Sequence, residues 1–130
     1  MDFSKEYIRM CDYAKIQEHI PGIGDFYWEK HIDGQETIWV VYDTGNDDYE
    51  DLDWGTIWLP RQDQLQEMLE EKSLPHLAWL FDKFCNPNPL HPYYKDCQVS
   101  AKTSMEQLWF SFVMKENHNK VWSGTEWLNE

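Results

Sequence analysis

In residues 4–19 apolar positions recur at helical spacing. Tyr7, Ile8, Cys11 and Ala14 fall on one face, and Ser4 stands where a helix cap is wanted. Pro21-Gly22-Ile23-Gly24 ends that helix. Two β-rich runs follow, at 26–30 and 37–42, and Asp33-Gly34 between them predicts a hairpin. The second run is apolar without alternation, too continuous for a strand with one wet face. It predicts a strand placed centrally in its sheet.

Residues 54–59 read as a third strand, stopped by Pro60, which also suits the first turn of a helix running to about Lys72. Leu65, Met68 and Leu69 share a face of that helix. Ser73 caps a further one, whose stripe is Leu77, Leu80, Phe81 and Phe84. Three prolines within 87–92 exclude regular structure there. Ser104 with Gln107 fits a capping box opening a last helix, whose face is Met105, Leu108, Trp109, Phe112 and Val113. A short Trp-rich hairpin or turn closes the chain at 120–128. This order predicts an α+β fold: a small antiparallel sheet of about three strands plus a C-terminal hairpin, packed against three to four helices.

Length changes that picture little. At 130 residues the chain is expected to be one domain, 1–130, burying about two-thirds of its unfolded surface. Eight Trp, seven Tyr and six Phe exceed what a minimal core requires, so some are expected at a surface that meets a partner.

Charge changes it more. With 24 acids against 11 bases the formal charge is −13, which argues against direct nucleic-acid binding, since that needs Lys and Arg to displace condensed counterions. Arg9 and Arg61 are the two arginines, too few to form a phosphate-gripping cluster. An acidic surface favours solubility and basic partners. Cys11, Cys85 and Cys97 are odd in number and widely spaced, which points to a reducing compartment and not to a disulfide framework. The polar, acidic N-terminus is unlike a signal peptide, and no apolar run approaches the roughly 20 residues that span a bilayer. A cytoplasmic protein is expected.

The densest candidate chemistry is an acidic run: Asp43, Asp47, Asp48, Glu50, Asp51 and Asp53, with Tyr49 and Trp54 interleaved as apolar anchors. It is read as a binding surface. As a calcium loop it fails. Counted from Asp43, Gly45 falls where an EF-hand needs an oxygen ligand, Asp48 where it needs glycine, and Trp54 where it needs its bidentate glutamate. Cys85, His91 and Cys97 lack the tight paired knuckle of a zinc site, so no metal or cofactor is expected. Five histidines and many acids permit a catalytic dyad, yet no nucleophile elbow, zinc-protease helix or phosphate-cradling glycine loop occurs. Gly22-Ile23-Gly24 lacks the third glycine and following helix of a dinucleotide site. Arg61 at a helix start offers a place for one anion, but Asp63 stands beside it. No catalytic residue is assigned.

Three blocks carry a resemblance. Tyr7 to Cys11 reads Y-I-R-M-C, Trp58 to Met68 reads W-L-P-R-Q-D-Q-L-Q-E-M, and Glu106 to Glu116 reads E-Q-L-W-F-S-F-V-M-K-E, followed by K-V-W-S-G-T-E-W over Lys120 to Trp127. Together they resemble small proteins encoded by bacteriophages and prophages. The resemblance covers about half the chain and brings no activity, cofactor or catalytic residue. It implies an accessory gene of a mobile element; such genes often encode inhibitors of host defence, and acidic ones sometimes imitate DNA. Three classes stand open: an acidic inhibitor of a basic host protein, a small-ligand-binding or sequestering protein with an aromatic pocket, and a structural or regulatory phage component. The first is preferred, with oligomeric state left open.

Overall fold

Ser4 opens the first helix as the spacing predicts: its hydroxyl accepts the Tyr7 N–H at 3.1 Å, capping α1, Lys5–Cys11. The computed structural model describes residues 1–42, 55–69, 73–85 and 104–129. Among them are four α-helices, a three-stranded antiparallel sheet and a two-stranded hairpin, an α+β fold. The chain divides into two compact units, Met1–Arg61 and Gln62–Glu130.

The first unit holds α1, a single 3-10 turn at Ile16–Glu18, and strands β1 (Phe26–Lys30), β2 (Glu36–Val40) and β3 (Thr56–Leu59) in the order β2-β1-β3. The register sets Tyr27 opposite both Trp39 and Trp58 on one face, and Trp28 opposite Ile38 and Ile57 on the other. α1 packs against β3, and the Tyr7 hydroxyl donates to the Pro60 carbonyl at 2.6 Å. Tyr7, Met10 and Cys11 are buried on that helix. Burial pushes the Cys11 thiol well above its ordinary range, against a lowering hydrogen bond with Tyr7.

Two expectations fail in this unit. The helix foreseen over 4–19 stops at Cys11, because the Cys11 carbonyl accepts the Tyr13 N–H at 2.7 Å and the Gln17 side-chain amide at 2.7 Å. A tertiary use of Gln17 outweighs helical periodicity. The run at 37–42 is not central either: β1 pairs on both sides and β2 is outermost. The paired part of the run is exposed at Thr37 and Ile38 and half-buried at Trp39 and Val40, and its deeply buried residue is Val41, just past the strand. The hairpin turn is as read, with Gly34 at φ 86°, a backbone angle glycine adopts freely.

In the second unit α2 (Gln62–Glu67) buries Leu65, and α3 (Leu74–Cys85) buries Leu77, Leu80 and Phe84. α4 (Met105–His118) starts at Ser104, whose hydroxyl accepts the Gln107 N–H at 3.1 Å. Aromatic packing joins α3 to α4. The Phe81 ring stacks on Trp109 at 3.9 Å, and Phe112 meets both Phe81 and Phe84. α2 packs on α4, where Asn117 Nδ2 donates to the Met68 carbonyl at 3.1 Å. Asn119, left-handed at φ 52°, ends α4 and turns the chain into β4 (Lys120–Trp122), which pairs with β5 (Trp127–Asn129). Trp127 of this hairpin stacks on Phe110. α4 is therefore apolar on two sides, burying Phe110 and Met114 besides Trp109, Phe112 and Val113, whereas Met105, foreseen as core, is exposed.

Candidate functional site

The acidic run singled out in the sequence, Asp43, Asp47, Asp48, Tyr49, Glu50, Asp51, Asp53 and Trp54, lies outside the described residues, as do His91 and Cys97. Among the described residues no group of three or more His, Cys, Asp and Glu side chains could hold a metal ion. No helix among them is long and apolar enough to cross a membrane.

What the second unit does build is a groove of about 830 Å³. α3 lines it with Leu74, Leu77, Ala78, Phe81, Asp82 and Cys85, one continuous helical stripe from the first residue to the last. α2 contributes Asp63, Gln66 and Glu67, with Leu69 just beyond its end, and α4 contributes Trp109. Leu77, Leu69 and Trp109 are buried in the floor, while Leu74 is 79% exposed at one end. The Trp109 indole N–H has no hydrogen-bond partner among the described residues. Asp63, Glu67 and Asp82 are the acidic residues of the lining, and among the described residues no Lys, Arg or His is part of it. Lys83 lies near the Trp79 ring, 6.0 Å from its centroid, and is not a lining residue. An apolar floor with a one-signed margin suits an apolar ligand or segment carrying positive charge.

The first unit contains a His–carboxylate pair. Asp25, 2% exposed, accepts the Gly22 N–H at 2.7 Å and lies 2.6 Å from His19 Nε2, with Arg61 Nη1 at 3.6 Å. Arg61 also donates to the Gly24 carbonyl at 2.6 Å. His19 lies flat on Trp58, ring centroids 3.6 Å apart. These bonds brace the turn 20–24, which carries Ile20 and Ile23 exposed to solvent. The geometry positions a backbone turn. Arg61, weighed in the sequence as an anion holder, is taken up by Asp25 and Gly24.

Sequence reasoning missed the groove because each of its stripes, read singly, is an ordinary core-facing pattern. The signal available was the acidic pair Asp63 and Glu67, one turn apart on α2 beside apolar positions. The fold places the chain in the α+β class. Beyond that class, no protein-family model, no curated protein and no solved structure matches it.

Proposed function

We propose that the protein acts by binding and not by catalysis, and that its partner is a basic protein. The observation that supports this reading is the groove in the second unit, apolar in its floor and acidic along its margins, on a chain of net charge −13. Charge of one sign speeds encounter with an oppositely charged partner, and the apolar floor supplies the contact that charge alone lacks. With the resemblance to phage and prophage proteins, the reading becomes an accessory protein working in the bacterial cytoplasm against a host defence or nucleic-acid-processing protein.

The experiment is capture of partners from bacterial lysate at low and high salt, with the wild type and with Glu67→Lys plus Asp82→Lys compared. A basic protein should be retained at low salt, released as salt rises, and lost from the double variant. A partner held equally by both proteins and at all salt concentrations would refute the reading.

The Phe81–Trp109 pair in the floor favours a second reading, a small aromatic ligand held in the groove. It predicts saturable binding of a small molecule that is insensitive to salt.

A further inference from the structure

We propose that the groove of the second unit receives an amphipathic α-helix of the partner, with Lys or Arg on both sides of its apolar stripe. This rests on the reading of the protein as a binder of basic partners and adds the shape of what is bound.

Three observations lead there. First, the walls are helices. The lining positions of α3 step by three and one along its whole length, about 16 Å at 1.5 Å per residue, and α2 lines the groove at the same spacing with Asp63, Gln66 and Glu67. Two helices presenting such stripes leave the slot into which a third helix packs ridge into groove. Second, among the described residues no strand of the second unit lines this slot, because β4 and β5 contribute nothing to it. An extended peptide would find no strand edge there to pair with, whereas a helix brings its own backbone bonds satisfied. Third, the acids stand on both walls: Asp63 and Glu67 one turn apart on α2, and Asp82 on α3. A helix lying between them meets negative charge on each flank, and its apolar residues reach Leu74, Leu77, Phe81 and Trp109.

Cys85, half-buried at the end of the lining, reports occupancy. Cys11 is fully buried, and Cys97→Ser removes the remaining thiol. The probes are three synthetic peptides of about 14 residues, some four turns. One carries a leucine stripe flanked by lysines, the second the same stripe flanked by glutamates, and the third the lysine composition scrambled to break the helical repeat. Binding is followed by anisotropy, helix gain by circular dichroism, and groove occupancy by the rate of Cys85 alkylation.

The lysine peptide should bind, gain helicity and slow Cys85 alkylation. The other two peptides, and the lysine peptide on the Glu67→Lys plus Asp82→Lys protein, should bind about tenfold or more weakly, a difference of about 1.4 kcal/mol. Both substituted residues are exposed, so the variant keeps its fold, and circular dichroism of the free protein checks it. Equal binding of the scrambled peptide, equal binding of the glutamate peptide, or binding without helix gain would each overturn the proposal. So would a Cys85 already inert in the free protein, which would mean that the chain covers its own groove. Should the lysine peptide fail while a basic partner is still captured in a salt-sensitive way, the helix is wrong and the binding reading stands.

Discussion

The side-chain amide of Gln17 does for Trp58 what a neighbouring strand would do. Its Oε1 accepts the Trp58 N–H at 2.8 Å and its Nε2 donates to the Trp58 carbonyl at 3.1 Å. Trp58 is buried, and among the described residues no strand stands beyond β3, so these part-buried backbone groups take Gln17 as their partner in place of a strand.

Gln17→Ala removes those bonds together with the one to Cys11. It should cost roughly 1–3 kcal/mol, the penalty of leaving part-buried backbone groups without their partner. Gln17→Glu should also destabilise, since it turns a carboxylate toward two carbonyl oxygens. Urea denaturation measures both, and an unchanged midpoint for Gln17→Ala would show that water replaces the amide without loss.

Asp25 holds the turn 20–24 through Gly22, His19 and Arg61. Its two basic partners are about a third exposed, so removing the carboxylate leaves them able to reach water. Asp25→Ala should therefore cost about 1–3 kcal/mol, below the 3–5 of a fully buried pair. Asp25→Asn, which keeps an acceptor for Gly22, should cost less. Hydrogen exchange at the Gly22 amide should quicken more in Asp25→Ala than in Asp25→Asn, and the reverse order would refute the account.

The Tyr27 hydroxyl is buried with no hydrogen-bond partner among the described residues. Burial first, and the nearby Asp25 charge second, raise its phenol well above the ordinary range. The folded value thus exceeds the unfolded value of about 10, so the stability tied to this proton is complete below that pH and is lost as pH rises toward the folded value. Tyr27→Phe should be neutral or stabilising by roughly 1 kcal/mol at neutral pH. It should also lose less stability than wild type at about pH 10.5, beyond the ordinary tyrosine value. Denaturant melts at the two pH values check both signs.

Trp109 packs between Phe81 and Phe112. Trp109→Ala should destabilise by about 3–5 kcal/mol, as deletion of a buried aromatic does. A melting temperature close to that of wild type would remove α4 from the core.

Neutralising Asp43, Asp47, Asp48, Glu50, Asp51 and Asp53 to Asn and Gln should slow association with a basic partner and flatten its salt dependence, because dispersed charge acts chiefly on the encounter rate. Stopped-flow association at two salt concentrations separates this from loss of the groove, which should raise the dissociation rate. An unaltered association rate would mark the acidic run as a solubility device.

Much of the fold is legible where the cause is local. Ser4 and Ser104 cap within three residues, Asp33-Gly34 makes its own turn, and Leu77, Leu80 and Phe84 repeat at helical spacing. The failures come from contacts that are distant in sequence. Gln17 breaks the first helix to serve Trp58, 41 positions away, and strand order depends on which side of β1 each partner takes. The groove was illegible for a related reason. A stripe such as Leu74, Leu77 and Phe81 states that one side of α3 is apolar, but not how much of that side its own unit covers.

The place of β2 at the margin of the sheet gives the acidity a second role, independent of any partner. Among the described residues its outer side carries no strand, and Glu36 is the acidic residue on it. Such an edge is a template on which another copy can add. Two molecules at −13 repel each other, and salt that shortens the screening length below about 8 Å removes that barrier. On the proposed reading, ionic strength acts with opposite signs on two kinds of contact: salt that weakens the hold of a basic partner also weakens the repulsion that keeps copies apart.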